Sequence, residues 1–367
     1  MITSMSTAFY HPYKCRGVCI IVTISSGMVV DYRFDHLPGK RERCSSMFDH
    51  ILAPLDGSLL AECTLPHIVA FALTSGARVT LLHVLDRELT YGSAKAADPL
   101  EWAIRKSKAE VYLQGIGDRL RKAGLQISTA TIEGRAADGI INYAHDQKVD
   151  LIALSSHGQS GLCGWNISSV VQKVLYGAHI SLLIIPAYRP TPMELISFHY
   201  QKVFVGLDGS QRAEWVLPEA LKLIDFHHAA LLLAHAVPRP EIPSYLAFNE
   251  EVIGLLALIN ERSRMHAEIY LQELCSQLSA DLYNIKTHLL ISENQIDALR
   301  ELAEQECADL VILSAHGGSD GYKRLYGSVA LSFIIYGTTP MLILQDLNPA
   351  IIQPTQVEIA TIELPQH

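Results

Sequence analysis

Leu55-Asp56-Gly57-Ser58, followed by Ala61-Glu62 and Leu65-Pro66, recurs further along the chain as Leu207-Asp208-Gly209-Ser210, Ala213-Glu214 and Leu217-Pro218. Every position is displaced by the same 152 residues, as Asp56 to Asp208. Self-similarity at one fixed offset is the mark of a duplicated architecture. The same offset carries His83 onto His235, each closing an apolar run, Val79 to Leu82 and Leu231 to Ala234. Downstream, Ala109-Glu110-Val111-Tyr112-Leu113-Gln114 returns as Ala267-Glu268-Ile269-Tyr270-Leu271-Gln272. Asp150-Leu151 with Ser155-Ser156-His157-Gly158 returns as Asp309-Leu310 with Ser314-Ala315-His316-Gly317. The chain therefore reads as two repeats, 48–187 and 201–347, joined by a linker over 188–200 that holds Pro190 and Pro192. Residues 348–367 read as a tail. Residues 1–46 match nothing later, which fits a disordered extension or an overlong gene start ahead of Met47.

Inside each repeat, short β-rich apolar runs alternate with longer segments of helical period, the pattern that buries a parallel sheet between helices. The first repeat offers strands at His50–Leu55, Arg78–Leu85, Gln126–Ile132, Asp150–Ser155 and Ser181–Ile185. The second offers Lys202–Leu207, Ala230–Ala236, Ile285–Ile291, Asp309–Ser314 and Met341–Leu344. The expected class is α/β: two tandem domains, each an open five-stranded parallel sheet flanked by helices. Leu100–Lys122 and Glu251–Leu278 read as long amphipathic helices. Ser58 and Ser210 are placed to N-cap the first helix of each repeat, and Pro66 and Pro218 then fall inside it, so a kink is expected in both. His227-His228 reads as a loop.

The 367 residues carry 49% hydrophobic and 18% charged side chains, enough apolar material for packed cores. A formal charge of −9 without a basic run argues against nucleic acid and against an anionic membrane surface. The apolar stretch Gly17 to Val30 is shorter than the ~20 residues that span a bilayer. Seven scattered cysteines without C-x-x-C fit a reducing cytoplasm and give no zinc site.

In an open parallel sheet, ligands bind where strand C-termini meet helix N-termini, and both repeats put their polar signatures there. Asp56 and Asp208 follow the first strand, His83 and His235 end the second, and the His-Gly pairs follow the fourth. The second repeat continues from Gly317 through nine residues to Gly327-Ser328-Val329. This run resembles the nucleotide loop of the universal stress protein (UspA-like) family, G-x-x-G, nine residues, G-(S/T), and the resemblance covers both repeats. It implies a Rossmann-like fold of the adenine-nucleotide α-hydrolase kind that binds ATP, with Mg²⁺ able to sit on the phosphates. Carried residue by residue, it implies contacts from Gly206, Asp208, Ala236, Leu313, Ser314, His316, Gly317, Gly327, Ser328 and Val329 in the second repeat. The first repeat supplies Pro54, Asp56, Val84, Leu154, Ser155, His157, Gly158, Ser168, Ser169 and Val170. Both repeats replace the first loop glycine by serine, Ser155 and Ser314, and the first repeat also loses the later one, to Ser168. The second repeat is therefore expected to be the better ATP site.

The resemblance implies a cytoplasmic stress-response module with no catalytic residue, whose two domains pair through Ser181–Ile185 and Met341–Leu344, with a homodimer as a second mode of pairing. A nucleotide-independent scaffold for protein partners and a slow ATPase are the alternatives. There is no G-x-x-x-x-G-K-(S/T) loop, and Lys323 and Arg324 are the basic residues in the second loop. His157 and His316 lack a second ligand at metal spacing and read as loop-shaping residues. The Ala-Glu-Val/Ile-Tyr-Leu-Gln stretches read as helix surface and core.

Overall fold

A computed structural model describes residues 48–86, 99–158, 167–187, 197–239, 250–278, 283–318 and 325–345. The extension, most of the linker, the tail, and Lys323 and Arg324 lie outside the described residues. The first repeat runs β1 (His50–Pro54), α1 (Leu59–Glu62), α2 (Leu65–Ser75), β2 (Arg78–Leu85), α3 (Pro99–Lys122), β3 (Ile127–Glu133), α4 (Ala136–Asp146), β4 (Leu151–Ser155), α5 (Ser169–Gly177) and β5 (Ser181–Ile185). The second repeats that order: β6 (Lys202–Leu207), α6 (Gln211–Glu214), α7 (Leu217–His227), β7 (Ala230–Pro238), α8 (Glu250–Gln277), β8 (Ile285–Ser292), α9 (Gln295–Gln305), β9 (Leu310–Ser314), α10 (Ser328–Tyr336) and β10 (Met341–Leu344).

Each repeat is a parallel sheet of order 3-2-1-4-5, and the two join into one ten-stranded sheet, β3-β2-β1-β4-β5-β10-β9-β6-β7-β8. The junction is the one antiparallel pairing among the described residues, with Leu182 opposite Ile343 and Ile184 opposite Met341. Tyr326 crosses the seam beneath it, its buried hydroxyl donating to the Leu175 carbonyl at 3.2 Å. β1, β4, β5, β6, β9 and β10 are covered on both faces, which is why they read as near-continuous Ile, Leu and Val. At the outer edges β3 and β8 are only partly covered, with Ser128, Thr129 and Glu133 exposed on one and Lys286, Thr287 and Ile291 on the other.

Ser58 and Ser210 cap their helices as expected, each accepting from an N–H three residues on, at 3.1 Å. The prolines act differently from the expectation. The helix does not kink through Pro66 or Pro218; it stops, turns over Cys63–Thr64 or Trp215–Val216, and starts afresh with the proline in the first turn. Proline lacks an N–H, which costs nothing at a helix start and a hydrogen bond in its interior. His227 is likewise no loop residue. It is the last residue of α7, buried against Tyr200, with its Nδ1 3.1 Å from Nδ1 of His199. Across the same seam, His67 of α2 meets the Tyr200 hydroxyl at 2.7 Å. A band of aromatic rings thus stitches α2 to α7.

Candidate functional site

Strand order 3-2-1-4-5 reverses direction between β1 and β4, and the crossover helices on either side of that point diverge to leave a crevice at the strand C-termini. Asp56 leaves β1 and Ser155–Gly158 leave β4 on its two sides; Asp208 and Ser314–Gly317 do the same between β6 and β9. The two sides touch. A Cβ built on Gly158 or Gly317 would run into the carboxylate of Asp56 or Asp208, so only glycine leaves that space to the acid. In the second repeat the Asp208 carboxylate spans the crevice. Its Oδ1 accepts from the Ser210 N–H at 2.9 Å, and its Oδ2 accepts from the Gly318 N–H at 2.7 Å. Asp56 accepts from both the N–H and the hydroxyl of Ser58, at 3.0 and 2.7 Å.

The serines at the first loop-glycine position have a local use. The Ser155 hydroxyl donates to the carbonyl of His157 at 2.7 Å, and Ser314 donates to that of His316. Each closes the turn by which the chain leaves the strand. His157 and His316 are themselves buried, the former with its Nδ1 3.0 Å from the Ser156 hydroxyl. Among the described residues no group of three or more potential ligands is arranged to hold a metal ion. His83 and His235 brace the other wall: Nδ1 donates to the carbonyl of Leu55 at 2.7 Å and of Leu207 at 2.9 Å, each the residue before the aspartate. Burial holds the His83 pKa below its ordinary value, so the imidazole that props the first strand is neutral.

Beyond Gly158 and Gly317 the loops return to where they began. The N–H of Ser168 donates to the Ser156 carbonyl at 2.8 Å, and that of Gly327 to the Ala315 carbonyl at 2.7 Å. α5 and α10 then start at the mouth of the crevice with Ser168 and Gly327 as N-caps. Here the repeats diverge. The Ser168 hydroxyl accepts from the Val171 N–H at 3.3 Å, whereas no side chain caps α10. The first-turn amides of a helix have no intrahelical acceptor, so those of Ser328, Val329 and Ala330 point toward the crevice carrying the positive end of the helix dipole. The backbone at Gly327 is extended, φ −70°, and at Ser168 it is φ −72°. The glycine is therefore not there for a left-handed conformation; what sets it apart from Ser168 is the absence of a capping side chain.

The remaining sequence-derived positions line the same strand ends. Pro54 ends β1 and Gly206 is the last residue but one of β6, Val84 and Ala236 lie near the ends of β2 and β7, and Leu154 and Leu313 near the ends of β4 and β9. A Cβ on Gly206 would press on Leu313 at 3.0 Å. Ser169 and Val170 open α5 as Ser328 and Val329 open α10.

One pairing was not foreseen. The Tyr112 hydroxyl donates to Glu62 at 3.3 Å and Tyr270 donates to Glu214 at 2.9 Å. The Tyr270 ring also packs on His235, centroids 5.3 Å apart. Burial first, and the facing carboxylate second, push both phenols well above their usual range. Both halves of each pair lie within the repeated motifs, so recurrence was the available signal; that the two motifs touch was not.

The universal stress protein family model matches residues 47–186 and again 199–345. The chain belongs to the universal stress protein family. A universal stress protein of Methanocaldococcus jannaschii is 28% identical over 156 residues, covering 38% of this chain and 96% of the relative. One from Bacillus subtilis is 28% identical over 149 residues, 38% of this chain and 99% of its own. These relatives are therefore about one repeat long. A crystal structure of a universal stress protein from Archaeoglobus fulgidus superposes with a TM-score of 0.57 at 17% identity, covering 81% of this chain and 98% of that one, a likeness of fold. Among the described residues no helix is long and apolar enough to cross a membrane.

Proposed function

We propose that this tandem universal stress protein is a cytoplasmic stress-response module that binds an adenine nucleotide, ATP in the first instance, with the better site in the second repeat. The observation that carries the reading is the uncapped first turn of α10 at the β6/β9 crevice. Three orphan amides, a dipole end and small residues make a ready site for phosphate. Asp208 lies across the crevice from that turn, on the side where the family resemblance puts the nucleoside, and its carboxylate can accept from ribose hydroxyls. Bound Mg²⁺ would offset the repulsion between triphosphate and this carboxylate. The backbone of Ala236, next to the bracing His235, offers the edge-on hydrogen bonds that read adenine.

Nothing in this arrangement requires turnover. The imidazoles of His157 and His316 are buried, and His83 and His235 are committed to holding the strand tips. A second reading applies to the first repeat alone. With Ser168 consuming an α5 amide, that repeat serves as the structural half of the pair, its β5 completing the sheet with β10.

The test is to purify the full chain without added nucleotide, denature it, identify any released small molecule by mass spectrometry, and titrate the emptied protein with Mg-ATP by calorimetry. Retained ATP, or binding that Gly317→Val removes, supports the proposal. An empty protein with no heat of binding overturns it in favour of a nucleotide-independent scaffold.

A further inference from the structure

The long helices carry apolar residues on the wrong side. α3 and α8 pack on the sheet through Ala109, Leu113 and Ile116 and through their counterparts Ala267, Leu271 and Leu274. On the opposite, solvent side, α8 presents Leu258 (67% exposed), Met265 (50%) and Ile269 (48%), and α3 presents Leu100 (66%), Ile104 (46%) and Val111 (70%). The steps are four, three and four residues in both helices: Leu258, Arg262, Met265, Ile269 and Leu100, Ile104, Ser107, Val111. That is the spacing of a coiled-coil seam, not of isolated surface apolar residues. With Leu255 and Ile259 included, the two stripes together expose roughly 700 Å² of apolar surface, close to the ~800 Å² that one partner gives a stable interface.

We infer that this face docks a second copy of the chain, α3 of one copy lying antiparallel on α8 of the other. The internal symmetry sets this up. Antiparallel joining of two like sheets edge to edge relates the repeats by a pseudo-twofold normal to the sheet, so α3 and α8 lie on one face, at its two ends. A molecular twofold along the strand direction then places each α3 on the partner's α8, two equivalent contacts per dimer. The side chains match in the antiparallel register. Leu100 opposes the partner's Ile269, Ile104 the partner's Met265, and Val111 the partner's Leu258. The one cation of the seam, the partner's Arg262, falls opposite Ser107, the smallest residue in it. A parallel register, or α8 on α8, sets Arg262 against an apolar side chain instead.

Sedimentation equilibrium of the full chain, without nucleotide, tests this. The expected result is twice the chain mass at micromolar concentration. Leu258→Asp and, separately, Val111→Asp should each raise the dissociation constant about a hundredfold, because every substitution acts at both contacts, at about tenfold each. Both side chains are exposed, so the far-ultraviolet circular dichroism and a single cooperative melt should be retained even where loss of the partner lowers the midpoint, which tells loss of pairing from a folding defect. To fix the pairing, Ser107→Cys and Arg262→Cys variants are mixed under oxidising conditions: they should cross-link to each other, and neither with itself. A monomer at ~100 μM, a dimer indifferent to both aspartates, or cross-linking of Ser107→Cys with itself would each overturn the inference. The readout is mass, so failure of nucleotide binding would leave it unaffected.

Discussion

Replacing Gly327 by serine would rebuild in the second repeat the cap that the first repeat already has. The backbone permits it, since φ and ψ at Gly327 (−70°, 165°) nearly equal those at Ser168 (−72°, 162°). The new hydroxyl would accept from the Ala330 N–H as Ser168 accepts from Val171. Two effects of opposite sign follow. Serine is a slightly better N-cap than glycine, worth a few tenths of a kcal/mol, so stability should hold or rise. An amide so engaged is lost to a phosphate, and a hydrogen bond to a charged group is worth about 1.5–3 kcal/mol. Taking the lower half of that range for a partly solvated helix end gives a loss of about 1.5–2 kcal/mol, a ~10–30-fold weaker dissociation constant. Calorimetric titration with Mg-ATP alongside a thermal melt measures both. Weakened binding in a protein that melts no earlier is the expected signature; binding within threefold of the parent would refute the argument that the free amides of α10 hold the phosphates. The converse, Ser168→Gly, should strengthen any binding at the first repeat while lowering the melting point slightly.

Gly317→Ala should cost little stability, because the atom its methyl meets is the far end of a rotatable side chain, but it must push Asp208 off the Gly318 N–H; nucleotide affinity should fall about as much as in Asp208→Asn, and an additive double variant would argue against a shared cause. His227 is held neutral in the folded chain, its pKa lowered to about 4 by burial and then by His199. The unfolded chain, with an ordinary imidazole near 6.5, takes up the proton first, so stability should be flat above pH 6.5 and fall by at most ~3 kcal/mol between pH 6.5 and 4. Denaturant melts of the parent and of His227→Phe across that range should differ in slope; equal slopes would remove His227 as the origin. His228 ends α7 at φ 54°, where the first repeat has Gly76 at φ 70°. His228→Gly should therefore raise the unfolding free energy by about 0.5–1 kcal/mol, read from the urea midpoint, since glycine carries no penalty in that conformation.

The duplication, the strand runs and the loop glycines were legible in the sequence because each is a local constraint. Alternation of buried apolar runs with helical periods follows from which faces must leave water, and the Asp56/Asp208 and His83/His235 pairs announced themselves by recurring at one offset. Other features depend on groups far apart in the chain. That Glu62 and Glu214 answer Tyr112 and Tyr270, or that Gly317 is small to make room for Asp208, is a fact about neighbours across 50 to 110 positions, which no window of sequence contains. His227 looked like a loop residue because two adjacent histidines have no helical or strand signature, and only packing against Tyr200 buries it.

The difference between the two sites shows the division most plainly. The sequence alone established that glycine has become serine at position 168 and remained glycine at 327. Two reasons for a glycine there are legible in the sequence, close backbone access for a phosphate and a permissive φ, and the second does not apply, since both residues sit in ordinary extended backbone. Tertiary structure decided what the exchange means, because it shows the Ser168 hydroxyl taking a first-turn amide of α5 where no side chain caps α10. There a hydroxyl competes for the same N–H groups that a phosphate would use.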